Sequence, residues 1–172
     1  MANIWLINYG ETVSSYAGLS LADAERLPLS GPGRAQVAAV AASLVGQHII
    51  AMYHTGSLVA QYTAEMLSRQ CIPRLKLYAF VILGDVKKTD DGSPMARVTG
   101  VEPSSAALAA QLAPAWRALL AGHTAGAAVV IVHPEISRVL LGLTLELPPE
   151  RWGAIRRQPG AIDRRSLKRT VH

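Results

Sequence analysis

Cysteine, phenylalanine and charge are scarce in this 172-residue chain, and each scarcity removes a class of protein. Cys71 is the single cysteine, so an internal disulfide is excluded and a cysteine-pair metal site with it. Phe80 is the single phenylalanine and aromatics make up 5% of the residues, with no interleaving of basic and aromatic positions that would stack nucleic-acid bases. Only 17% of residues are charged while half are apolar, which argues against a disordered chain. No apolar run reaches the roughly 18 residues that span a bilayer. The first residues lack the basic-then-apolar layout of a secretory leader, because Gly10-Glu11-Thr12 interrupts them. Neither glycine-rich phosphate-loop pattern occurs, and the five histidines show no metal-ligand spacing. The expectation is one cytoplasmic domain over residues 1–172, with no membrane span, metal or cofactor.

Positive charge is also unevenly placed. Residues 151–172 hold seven basic side chains (Arg151, Arg156, Arg157, Arg164, Arg165, Lys168, Arg169) against Asp163, whereas the first 150 residues carry ten basic and eleven acidic. Such a basic C-terminal segment can meet an anionic partner. The plainer reading is an edge strand guarded by charge against aggregation.

The hydrophobic pattern alternates short apolar runs with helical ones. Asn3–Ile7, His48–Tyr53, Leu75–Leu83 and Ala127–Val132 read as strands, and Ser166–Val171 as a last one. Gly33–Val45, Ser57–Arg69, a stretch from Ser104/Ser105 to Leu120, and Glu135–Leu145 read as helices. Pro114 predicts a kink or a division into two helices. A short helical turn is expected at Leu21–Arg26, and residues 84–103 have loop composition. This alternation predicts an α/β fold: three layers, a mostly parallel central sheet and helices on both faces. Ligands of such folds sit beyond the carboxyl ends of the strands. Chemistry is therefore sought at Asn8-Tyr9-Gly10, His54-Thr55-Gly56 and His133-Pro134-Glu135. His48 and His123 precede strands and are expected at the opposite end, on the surface.

Three stretches in order carry a family resemblance. The first strand runs into Gly10-Glu11-Thr12; Pro28-Leu29-Ser30-Gly31-Pro32-Gly33-Arg34-Ala35-Gln36 opens a helix; Thr63-Ala64-Glu65 lies inside another. Together they resemble the histidine phosphatase superfamily, the phosphoglycerate-mutase-like proteins. In that family the first strand ends in Arg-His-Gly-Glu-Thr, and its histidine is the nucleophile that becomes phosphorylated. The resemblance places Asn8 at the arginine position and Tyr9 at the nucleophile position. It places Val59 where a second phosphate-binding arginine belongs, five residues before Ala64. Of the four core positions His133 alone matches, with Pro134-Glu135 following where the family prefers glycine. The general acid would fall after the third strand, at Asp85, Asp90 or Asp91.

Chemistry weighs against ordinary phosphoryl transfer. Arginine binds phosphate oxygens bidentately and stays charged, whereas asparagine is neutral and valine donates nothing. A phenol with a pKa near 10 is a poor nucleophile at neutral pH. The expected function is a catalytically degenerate histidine-phosphatase-fold protein acting as a ligand-binding, regulatory or protein-interaction module. Its candidate ligand-binding residues are Asn8, Gly10, Glu11, His54, Thr55, Val59 and Glu135, with His133 and Tyr9 vestigial or altered in role. One rival is an enzyme of different chemistry, with His133 and Tyr9 as acid and base on a non-phosphate substrate. Another is a residual phosphatase using His54 and Arg138.

Overall fold

Six consecutive apolar residues, Ala127–Val132, make a strand that is buried along its whole length. A strand of that kind belongs inside a sheet covered on both faces. In the computed structural model it is the central strand, and the rest of the fold is arranged around it. The structure describes residues 2–13, 27–71, 75–79, 105–123, 126–155, 160 and 162–167.

The elements in chain order are β1 (Ala2–Asn8), α1 (Gly31–Leu44), β2 (Ile49–His54), α2 (Leu58–Cys71), β3 (Leu77–Ala79), α3 (Ser105–Gly122), β4 (Ala127–Val132), α4 (Pro134–Thr144), a 3₁₀ helix (Pro149–Ala154) and β5 (Ile162–Leu167). The sheet order is β3-β2-β4-β1-β5. The β1–β4, β2–β4 and β2–β3 pairs are parallel, and β5 runs antiparallel to β1. The mostly parallel α/β sheet with helices on both faces is as the sequence predicts.

Side-chain alternation divides the core into two layers. Trp5, Ile7, Tyr9, Val129, Ile131 and Met52 pack with α1 and α2 through Val37, Val40, Leu44, Ala60, Ala64 and Leu67. Ile4, Leu6, Val130 and Val132 face the other way, onto α3 and α4 through Leu112, Trp116, Leu119, Val139 and Leu140. Trp152 closes this second layer: it is buried, donates its indole N–H to the Leu147 carbonyl at 2.9 Å, and lies against Gly142. A Cβ on Gly142 would run into that ring. Gly142→Ala is therefore expected to lower stability by about 1–3 kcal/mol, read as a lower denaturation midpoint, since a buried indole cannot step aside.

Two expectations need correction. Pro114 does not divide its helix: α3 is continuous over Ser105–Gly122, because Pro114 lies on an exposed face while Leu112, Ala115, Trp116 and Leu119 hold the helix to the sheet. The last strand, Ile162–Leu167, begins four residues before the expected Ser166, and its charged residues pair by main chain with β1. Of the expected third strand Leu75–Leu83, Leu77–Ala79 is strand, and residues 80–83 lie outside the described residues. The turn at Leu21–Arg26, the 84–103 loop with Asp85, Asp90 and Asp91, and residues 168–172 lie outside the described residues. Among the described residues no helix is long and apolar enough to cross a membrane.

Candidate functional site

The carboxyl ends of β1, β2 and β4 lie side by side, and the candidate residues are built from them. Asn8 pairs in register with Val132, and the Tyr9 N–H donates to the Val132 carbonyl at 3.2 Å. His54 stands opposite Ile131, and the Thr55 N–H donates to the Ile131 carbonyl at 3.1 Å. These bonds bring Asn8, Tyr9, His54, Thr55 and His133 to one edge of the sheet. The period of two then puts Tyr9, His54 and His133 on the α1/α2 side and Asn8 on the other.

Tyr9 is fully buried, with its ring in the core cluster that holds Val59 and Val129. It meets the His133 ring edge-on, with centroids 5.5 Å apart and planes at 64°. Its carbonyl accepts from the Gly160 N–H at 3.0 Å, so the chain leading into β5 closes over it. Asn8 and Val59 are likewise fully buried. The side chains standing at the nucleophile and arginine positions of the resemblance are thus packed into the protein.

His133 has a local role that the sequence did not announce. Its extended backbone ends β4 and its ring caps α4, Nδ1 accepting the Glu135 N–H at 3.1 Å. An N–H can only donate, so Nδ1 carries the lone pair and the neutral ring keeps its proton on Nε2. Burial, and secondarily the Arg138 guanidinium, lower its pKa to about 4. Glu135 does not join His133 through its carboxylate. It is exposed and pairs with Arg138 at 2.7 Å, while Arg138 Nε donates to the Ile155 carbonyl at 3.1 Å. Ser137, one turn further on, is fully buried, and its hydroxyl finds no hydrogen-bond partner among the described residues.

Gly10 and Glu11 turn towards α1. The Glu11 N–H donates to Gln36 Oε1 at 2.9 Å, its carbonyl accepts from the Ser30 N–H at 2.9 Å, and Ser30 Oγ lies 3.4 Å from its carboxylate. Ser30 Oγ also accepts from the Gly33 N–H at 2.9 Å, capping α1. Gly10 and Gly33 let the two segments touch: a Cβ on Gly10 would lie 2.6 Å from the Gly33 oxygen, and one on Gly33 would strike the Glu11 carbonyl.

His54 is 8% exposed, and its Nδ1 is 2.7 Å from the Thr55 carbonyl oxygen. Here Nδ1 must donate, so the neutral ring is the opposite tautomer from that of His133. Ser57, absent from the candidate residues of the sequence, caps α2 through the Ala60 N–H at 3.3 Å. Its signal was available: a serine directly before a helical run.

His48 is exposed, as expected, but His123 is not a free surface residue. It is half-buried, bonded through Nε2 to the Tyr53 hydroxyl at 3.1 Å and through Nδ1 to the Leu119 carbonyl at 3.0 Å. Burial, with Tyr78 stacked beside it, raises the Tyr53 pKa. Among the described residues no three of His, Cys, Asp and Glu gather to hold a metal ion.

No protein-family profile and no curated protein sequence matches the chain. Solved structures do. Phosphoserine phosphatase from Entamoeba histolytica in complex with 3-phosphoglyceric acid superposes with a TM-score of 0.73 at 14% identity, over 95% of this chain and 90% of that one. A histidine-to-alanine variant of that enzyme in complex with phosphoserine gives 0.67 at 17% identity, over 95% and 90%. Mycobacterial glucosyl-3-phosphoglycerate phosphatase gives 0.69 at 19% identity, over 94% and 88%. Identities this low speak to architecture rather than activity. The order of strands, the two helical layers and these superpositions agree: the chain has the fold of the histidine phosphatase superfamily.

Proposed function

We propose that this protein is a catalytically silent member of its fold, a binding module that recognises an uncharged ligand or a protein partner and transfers no phosphoryl group. The burial of Tyr9 carries the reading. A phenol with no exposed surface, packed among Val59, Val129 and the His133 ring, supports a core role for Tyr9 over that of a nucleophile awaiting substrate.

The electrostatics support it. Asn8 and Val59 supply no positive charge, and the nearest arginine along α4, Arg138, is committed to Glu135 and the Ile155 carbonyl. Two missing arginines forfeit charge-assisted bonds of roughly 1.5–3 kcal/mol each. Summed over a transition state, that is about 10²–10⁴ in rate before the lost nucleophile is counted. The His133 ring is tied down as a helix cap, which favours a structural role over proton transfer. A phosphatase of this fold from Entamoeba histolytica holds phosphoserine as a histidine-to-alanine variant, so ligand binding after loss of a histidine has a parallel.

The test is direct. Incubated with p-nitrophenyl phosphate, phosphoserine and 3-phosphoglycerate, the protein is expected to release no phosphate above buffer and to form no acid-labile phosphohistidine. Tyr9→Phe keeps the ring and should leave the fold and this silence unchanged. Turnover that disappears in His133→Ala would overturn the proposal and restore an active phosphatase.

A further inference from the structure

Tyr53 stands on the opposite face of the sheet from Tyr9, half-buried against the α3 layer. Its hydroxyl is 3.1 Å from His123 Nε2, and His123 Nδ1 is 3.0 Å from the Leu119 carbonyl oxygen. A carbonyl only accepts, so Nδ1 carries the proton of the neutral ring, Nε2 its lone pair, and Tyr53 donates. The Tyr53 and His123 rings meet edge-on, with centroids 5.3 Å apart and planes at 80°. Tyr53 also stacks on Tyr78, its register partner in β3, at 5.4 Å and 25°. Tyr78 is 44% exposed. The cluster thus runs from a ring in solvent, through a stacked phenol, to a base.

That order suits one-electron oxidation. A phenol stripped of an electron is a strong acid, so its proton has to leave, and a base held within hydrogen-bond reach takes it in the same step. His123 takes the proton without losing its anchor, since both nitrogens of the charged ring donate and the Leu119 bond is kept. Burial, and secondarily Tyr78, raise the Tyr53 pKa, so the residue meets an oxidant as the neutral phenol and needs a proton acceptor. Tyr62 is the internal comparison. It is also 44% exposed, but among the described residues nothing hydrogen-bonds to its hydroxyl.

We propose that Tyr53 is an oxidative modification site, a phenol that passes one electron through Tyr78 to a radical oxidant at the surface and its proton to His123. With nitrogen dioxide as the oxidant the step balances. One molecule takes the electron and leaves as nitrite, while the Tyr53 O–H proton moves to Nε2 and a neutral phenoxyl radical remains. A second molecule couples to the ring carbon beside the oxygen, forming a C–N bond. That carbon then loses its hydrogen as a proton, the oxygen regains one, and the ring is aromatic again as 3-nitrotyrosine; His123 returns its proton to solvent. The cluster shares no residue with the strand-end site, so this chemistry stands whether or not the module is silent.

Peroxynitrite in bicarbonate buffer near neutral pH generates nitrogen dioxide, and peptide mass spectrometry then locates the nitrated tyrosines. Tyr53 is expected to carry about ten times the nitration of Tyr62, below the ~10²–10⁴-fold that a positioned acid or base can supply. His123→Phe keeps a ring against Tyr53 and removes the base, and should bring Tyr53 down to the level of Tyr62. Tyr78→Leu should lower it as well, by breaking the route to the surface, while Tyr62 is unchanged. Circular dichroism checks that each variant is folded. Nitration of Tyr62 at or above that of Tyr53 in the parent, or folded variants nitrated at Tyr53 like the parent, would each overturn the proposal. Should both variants fail to fold, the ratio of Tyr53 to Tyr62 in the parent still decides.

Discussion

Gly33→Ala should cost about 3 kcal/mol or more and dislodge the segment Gly10–Thr12 from α1. Two terms oppose each other here. Alanine is the better helix former by about 1 kcal/mol, which favours the variant. Against that, a Cβ at position 33 would run into the Glu11 carbonyl, and the obstacle is backbone, which cannot rotate away. That carbonyl is itself fixed by the Ser30 N–H at 2.9 Å. Steric exclusion wins, because relieving it means giving up the Glu11–Ser30 and Glu11–Gln36 bonds together. Denaturant unfolding of Gly33→Ala beside Gly31→Ala measures the effect, since nothing lies within 4 Å of a Cβ at Gly31. The second variant should stay within about 0.5 kcal/mol of the parent. Equal midpoints for the two would mean that the close approach of α1 to Glu11 is not what the glycine serves.

This contact also explains which parts of the molecule could be read from the chain. The Pro28–Gln36 stretch carries much of the family resemblance, and its distinctive residues each serve the structure. Ser30 caps α1, Gly33 makes room, and Gln36 holds the Glu11 N–H. Local chemistry of that kind is written in residue type and spacing, so the fold was legible. Strand ends in a parallel sheet likewise pointed to Asn8, His54 and His133. What was not legible depends on long-range partners. A charged edge strand was legible near the C-terminus, but its start was not: the antiparallel pairing with β1 begins it at Ile162, ahead of the expected Ser166. Pro114 reads as a break, yet the packing of Leu112, Trp116 and Leu119 carries the helix through it. His123 precedes a strand and reads as surface, whereas Tyr53, seventy residues away, supplies its partner. The tautomers of His54 and His133 were equally out of reach, because each is set by one backbone group whose position the sequence does not state.

The tautomer of His133 leads to the second large effect, a loss of stability in mild acid. In the unfolded chain an imidazole protonates near its ordinary pKa of 6.5, whereas in the folded protein burial, then Arg138, hold this one down to about 4. Above pH 6.5 both states are neutral and the residue contributes no pH dependence. Between 6.5 and 4 the unfolded chain takes up a proton that the folded protein refuses, so the unfolded state gains and stability falls with pH. The loss is complete near pH 4 and amounts to about 3 kcal/mol for a shift of this size. Geometry supports the sign independently: a proton on Nδ1 would point at the Glu135 N–H, turning the cap of α4 into a clash of two donors. His133→Asn separates this contribution from carboxylate titration elsewhere, since asparagine keeps an acceptor at a position it favours as a helix cap and does not titrate. The stability difference between parent and variant should shift by about 3 kcal/mol in the variant's favour from about pH 7.5 to about pH 4. A difference that stays constant across that range would show that His133 protonates freely in the folded protein, and that its ring is not the fixed cap on which its structural role depends.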